Sequence, residues 1–125
     1  MIRGIDHIEL IVRDIEEFVG FFQKMGFNLL TRTSHHGESA ELQLPGPNQP
    51  IFEIHQVSGE ENIGVNHIAF TVDNAQQTYD TLQDKGITTM KPPNYVTATG
   101  RTTVNFRDPD GWRLQFVDAA RQAPA

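Results

Sequence analysis

The stretch GVNHIAFTVDNAQQTYDTLQDKG, residues 64–86, is written twice in this chain. Its earlier copy is GIDHIELIVRDIEEFVGFFQKMG, residues 4–26, so that Gly64 falls on Gly4, Asn66 on Asp6, His67 on His7, Ile68 on Ile8, Val72 on Val12 and Gly86 on Gly26. Each copy reads as a strand with one histidine near its start, a short turn, a capped amphipathic helix and a glycine stop. A repeat of about 60 residues that holds both a strand and a helix is a duplicated module rather than a solenoid unit. Each half therefore supplies a histidine from an equivalent place.

Outward from the repeat, the periodicities set the remaining elements. Ile5–Val12 alternates, with Ile8, Leu10 and Val12 on one face and His7, Glu9 and Ile11 on the other. Asp14 stands at a helix N-cap with Glu17 three residues on, and Ile15, Phe18, Phe22 and Met25 form the inner stripe of the helix that follows. Phe27–Thr33, Ala40–Leu44 and Ile51–Val57 read as strands. Between them lie a hairpin loop, Ser34–Ser39, whose His35 and His36 are expected in solvent, and the PGPNQP loop of residues 45–50. On the strand Ile51–Val57, Phe52 and Ile54 face one side and Glu53 and His55 the other; His55 is expected at a solvated rim. SGEEN, residues 58–62, links the halves.

The second half repeats the order. In the strand Val65–Val72, His67, Ala69 and Thr71 share one face. Asn74 caps a helix with Ala75, Thr78, Tyr79 and Leu82 inside, and Gly86 stops it. Ile87–Met90 reads as a short strand, a hairpin is placed around Gly100, and Thr102–Arg107 and Trp112–Val117 are strands joined by the turn DPDG, residues 108–111. Trp112 alternates with Leu114 and is expected in the core, while Arg101 and Lys91 fall in loops within reach of an anionic substrate. The tail after Asp118 is expected to fray.

The expected architecture is α+β. Two paired βαβββ modules, residues 1–58 and 63–119 of a single domain, form a cupped mixed β-sheet with the helices on its outer face. One helix per sheet covers one face, so the other face carries His7, Glu9, Glu53, His55, His67, Thr71, Asn105, Arg107 and Gln115, polar groups that need water or a ligand. Glu9 lies one pleat from His7, as a general base or a partner of Arg107 or Arg113.

Composition narrows the partners. At 125 residues, 38% hydrophobic and 21% charged, the chain fits one globular domain. A formal charge of −6 without a Lys/Arg cluster argues against nucleic acid, and the absence of cysteine removes disulfides, thiolate metal sites and a cysteine nucleophile. MIRGIDHIELIV enters the first repeat without a basic region and long apolar core, and no apolar run reaches membrane-spanning length, so a cytoplasmic protein with no membrane partner is expected.

These features together, DHIEL and NHIAF heading the modules, PIFEIHQV closing the first and FRDPDGWRLQFVD closing the second, resemble the vicinal oxygen chelate superfamily of glyoxalase I, bleomycin-resistance proteins, methylmalonyl-CoA epimerase and extradiol dioxygenases. The resemblance spans residues 1–119. It implies a metal site on His7, Glu53, His67 and Gln115, taking Zn²⁺, Ni²⁺, Co²⁺, Mn²⁺ or Fe²⁺. Gln115 departs from the pattern: most members carry glutamate there, and glutamine ligates through its amide oxygen but cannot shuttle a proton. In methylmalonyl-CoA epimerases a glutamine ligand stands at the position held here by Glu53. An arginine that glyoxalase I uses after its first histidine is also lacking, Ile11 or a neighbour falling there.

The implied activity is a metal-dependent lyase or isomerase of the glyoxalase type. In it, a metal chelates two oxygens of a small substrate and Glu53 or Glu9 moves the proton. The alternatives are a non-catalytic protein that sequesters an amphipathic ligand, with the small side chains of Ala69 and Thr71 leaving room for it, and an extradiol-type Fe²⁺ dioxygenase with Glu53 as the carboxylate. The resemblance further implies a homodimer.

Overall fold

The structure, a computed structural model, describes residues 2–34 and 37–118. The readings of His35, His36 and the tail after Asp118 lie outside the described residues. The elements run β1 (Ile2–Val12), α1 (Ile15–Lys24), β2 (Asn28–Thr33), β3 (Ser39–Gln43), β4 (Ile51–Gln56), β5 (Gly64–Val72), α2 (Ala75–Asp84), β6 (Asn94–Val96), β7 (Arg101–Arg107) and β8 (Arg113–Val117). This is the α+β, twice-βαβββ order that the repeat dictates. Two compact units emerge: residues 7–66, and residues 2–6 with 67–118.

In the 7–66 unit the strands lie in the order β2-β3-β4-β1. β1 and β4 run parallel, His7 opposite Ile51, Glu9 opposite Glu53 and Ile11 opposite His55. β3 runs antiparallel to β4, with Glu41 opposite Glu53 and Ser39 opposite His55. The helix forms where the sequence places it. The Asp14 side chain accepts from Glu17 N–H, and the chain ends the helix at Gly26 with a positive φ of 101°, a conformation that strains any residue carrying a Cβ. Ile15, Val19 and Phe22 of α1 are buried against Val12, Ala40, Leu42 and Ile54, with Leu10, Phe18, Phe27 and Phe52 packed around them. The rings of Phe22, Phe27 and Phe52 meet at centroid distances of 4.8, 5.6 and 5.4 Å, tilted or edge to face. Met25, expected inside, is exposed: the helix stripe closes at Phe22, and Met25 is already the C-cap residue, turned away from the sheet.

In the other unit the order is β5-β8-β7-β6. β5 and β8 are parallel, Ala69 opposite Gln115 and Phe70 opposite Phe116, and β7 is antiparallel to β8, Asn105 opposite Gln115. Val72, Ala75, Val104 and Phe116 form the core, with Phe70, Tyr79, Leu82, Met90 and Phe106 against it. Asn74 caps α2 through Gln77 N–H, and Gly86, with φ of 93°, ends it as its repeat partner ends α1.

Residues 87–93 form no strand. Lys91 N–H reaches the Asn105 carbonyl and the Thr89 hydroxyl the Arg107 carbonyl, isolated bonds that do not make a ladder, and the strand that pairs with β7 is Asn94–Val96. Pro92 and Pro93 lack the N–H donors that a strand through them would need. Trp112 is also not in the core: it is 56% exposed, in the turn ahead of β8, where its backbone N–H donates to Asp108 Oδ1. Alternation with Leu114 stops applying where the chain leaves the strand.

Candidate functional site

The site-forming face of the 7–66 unit is the one opposite α1. Because paired residues in adjacent strands project to the same side, Glu9, Glu53 and Glu41 stand abreast across β1, β4 and β3. His7 and His55 flank this row. His7 is 6% exposed, and its Nε2 lies 3.7 Å from Glu53 Oε2, whose side chain keeps 25% of its surface. A buried imidazole and a half-buried carboxylate at this separation are nitrogen and oxygen donors of the kind that divalent cations take.

His55 is 5% exposed, so the solvated rim expected for it is not what the fold provides. It is a link: its Nδ1 lies 3.6 Å from Glu9 Oε1 and its Nε2 is hydrogen-bonded to Glu61 Oε2 at 2.9 Å. Glu61, from the segment after β4, also accepts from the Ser58 N–H and hydroxyl. The bond from His55, followed by that from the Ser58 backbone, holds the Glu61 carboxyl below the ordinary range. Glu9, itself 8% exposed, faces a histidine of its own sheet. Glu41 and Glu61 were missed in the sequence. Glu41 sits on a strand whose alternation was legible, but only the register reveals that it neighbours Glu53; Glu61 lies in a linker with no periodic signal.

In the other unit His67, Ala69 and Thr71 project from β5 to the same side as Gln115 and Asn105. His67 and Gln115 are half-buried. Gln115 Nε2 donates to Asn105 Oδ1 at 3.0 Å, which leaves the amide oxygen as the atom that a cation would take. Arg107 and Arg113 are directly paired across β7 and β8 on this face, two cations side by side, with Arg107 donating to the Gly111 carbonyl. Ala69 is fully buried, and the Thr71 hydroxyl donates to Asp6 Oδ1.

Arg101 is not a loop residue reaching for substrate. It begins β7, is 4% exposed, and its guanidinium makes two bonds to Asp6, Nη2 to Oδ1 at 2.7 Å and Nη1 to Oδ2 at 3.1 Å, with Nε donating to the Asp118 carbonyl. Lys91, the other residue assigned there, is exposed between Met90 and Pro92.

Each unit thus carries a histidine and an oxygen-bearing side chain on one side of its strands, His7 with Glu53 and His67 with Gln115. Among the described residues of either unit, no group of three or more His, Asp or Glu side chains is arranged to hold a metal by itself.

The model of the Glyoxalase/Bleomycin resistance protein/Dioxygenase superfamily matches residues 4–116, and the chain belongs to that superfamily. A curated relative, the "Uncharacterized protein YwkD" of Bacillus subtilis (strain 168), is 28% identical over 127 residues, 94% of this chain and 98% of that protein. Among solved structures, a single-residue variant of the Streptomyces coelicolor methylmalonyl-CoA epimerase in complex with 2-nitronate-propionyl-CoA is similar with a TM-score of 0.75 at 21% identity, covering 99% of this chain and 100% of the other. The methylmalonyl-CoA epimerase of Mycobacterium tuberculosis gives a TM-score of 0.76 at 15% identity, covering 95% and 89%. At these identities the likeness establishes the fold. The described residues include no helix long and apolar enough to cross a membrane.

Proposed function

We propose that this protein is a metal-dependent isomerase or lyase of the glyoxalase type, moving a proton at a carbon next to a carbonyl of a small substrate with two vicinal oxygens. The observation that carries the reading is the His7–Glu53 pair, a buried imidazole 3.7 Å from a carboxylate on the open face of a superfamily fold. In it His7 and Glu53 hold a divalent cation in one unit, and His67 and the Gln115 amide oxygen are the donors in the other. The cation, Zn²⁺, Ni²⁺, Co²⁺, Mn²⁺ or Fe²⁺, supplies Lewis acidity toward the substrate oxygens.

The chain's own residues do the rest. Gln115 has no proton to accept or return at neutral pH, so proton transfer falls to a carboxylate. Glu53 is the first candidate because it keeps access to solvent and substrate, and Glu9, buried and facing His55, is the second. The epimerases of like fold carry acyl-CoA ligands in their solved structures, which makes a CoA thioester a substrate to assay. A homodimer and a cytoplasmic location belong to the same reading.

The test is the metal content of untagged protein, measured by elemental analysis beside a His7→Ala/His67→Ala double variant and after incubation with each of the five metals. About one equivalent of divalent metal per site, lost in the double variant, is expected. No metal in either protein overturns the reading and leaves a ligand-sequestering protein, which the amide at Gln115 favours over an oxygenase because it removes a carboxylate ligand.

A further inference from the structure

The helix side of the 7–66 unit carries an opening that the site above does not use. A cavity of about 380 Å³, within the ~300–1,000 Å³ range of small-ligand pockets, is walled by Leu10 and Val12 of β1, Phe18 of α1, and Ile63 and Val65 beside them, with Arg13 as its only charged lining residue. Leu10, Val12 and Phe18 belong to the layer under α1, Ile11 lines the cavity from the next position of β1, and neither His7 nor Glu53 lines it. Ile63 and Val65 are 58% and 42% exposed, an apolar wall left facing water.

Arg13 separates this cavity from an ordinary packing defect. Arg3, Arg32 and Arg101 each pair with a carboxylate, whereas Arg13 is exposed and has no ion-pair partner among the described residues. In a chain with a formal charge of −6, a cation standing alone at the mouth of an apolar cavity is a complement for an anionic head on an apolar body. The fold does not require it. The repeat places Asp73 where Arg13 stands and Thr78 where Phe18 stands, so the second module has neither the cation nor the aromatic wall. A second copy of the chain docked across a two-fold axis centred here would bring one Arg13 toward the other, which disfavours that occupant.

We propose that this cavity is a binding site for a small amphiphilic carboxylic acid, its apolar chain against Leu10, Val12, Phe18, Ile63 and Val65 and its carboxylate at the Arg13 guanidinium. The reading is independent of the metal site and of the proposed reaction.

The probe is decanoate, added below its micellar concentration to the untagged full chain and followed by calorimetry and by chemical-shift changes, with decanol and decyltrimethylammonium as head-group controls. Saturable one-to-one binding is expected for decanoate, with decanol weaker by about tenfold or more and the ammonium compound not binding. Arg13→Glu should weaken decanoate by at least the same factor and Arg13→Lys should retain it; Arg13 is exposed, and circular dichroism checks that both variants fold. Val65→Trp, at an exposed wall position, should fill the cavity and abolish binding. Absence of saturable binding to the wild type overturns the proposal, as does equal affinity for decanoate and decanol. A concentration-dependent dimer that Val65→Trp dissociates also overturns it, assigning the apolar wall to contact between copies.

Discussion

His7 Nε2 and Glu53 Oε2 stand 3.7 Å apart because β1 and β4 run parallel in a register that sets His7 opposite Ile51 and Glu9 opposite Glu53. The two side chains therefore come from neighbouring positions along the ladder rather than directly across from each other. Replacing Glu53 by Gln keeps the shape of the side chain and removes its charge and basicity. Solvent-deuterium exchange into the substrate should then fall by roughly a hundredfold or more, the usual share of a general base, while circular dichroism and thermal unfolding change little. An undiminished exchange rate in Glu53→Gln would remove Glu53 from the mechanism.

Asp6 and Arg101 make a two-bond ion pair with side-chain exposures of 10% and 5%. Truncating one partner leaves the other charge buried, so Asp6→Ala should lower unfolding free energy by about 3–5 kcal/mol, whereas an apolar double replacement, Asp6→Leu with Arg101→Met, should cost much less. Urea unfolding of both variants decides it; equal losses would show that the charge itself, and not its abandonment, holds this part of the unit.

Asp118 closes the second module at its seam. One carboxylate oxygen accepts from Ala75 N–H at the start of α2 and the other from Thr102 N–H in β7. Asn74→Ala removes a single cap bond and should cost about 1 kcal/mol. Asp118→Ala removes two charge-assisted acceptors at once, so its loss, read from the urea midpoint, should exceed that of Asn74→Ala. In the first module Gln56 Oε1 takes Ile15 N–H in the same way, and Gln56→Ala should fall near the smaller value because its amide is neutral.

Two exposed ion pairs contribute to the acid limb of stability, beside the Glu61 carboxyl described above. The bond from Arg32 lowers the Glu16 carboxyl below its ordinary value, and the bond from Arg3 does the same for Asp73. A carboxyl whose folded value is depressed contributes stability that is present above its unfolded value and is lost as pH falls through the folded one. Stability should therefore decline below the ordinary carboxylate range, and Glu16→Gln with Asp73→Asn should shallow that decline when melting is followed from neutral pH to ~pH 3. The effect should shrink in high salt, since both pairs face solvent. An acid limb of unchanged slope in the double variant would place the titrating groups elsewhere.

Much of this molecule was written locally. Alternation in residues 4–12 and 64–72, the Asp14 and Asn74 caps and the Gly26 and Gly86 stops each act within a few residues, so the element order and the two apolar layers could be read without coordinates. What the sequence left open depended on contacts far apart along the chain. Glu41 joins Glu9 and Glu53 only through strand register, which no single strand encodes. Buried His55 has its partner, Glu61, in the following linker, and buried Arg101 has its counter-charge, Asp6, at the far end of the chain. Trp112 shows the converse: period-2 spacing continues on paper one residue past the end of the ladder, whereas the turn bonds to Asp108 turn the indole outward. Side-chain period is a property of the local backbone and survives in the sequence; burial and pairing are properties of what the rest of the chain brings alongside, and only the tertiary structure decides them.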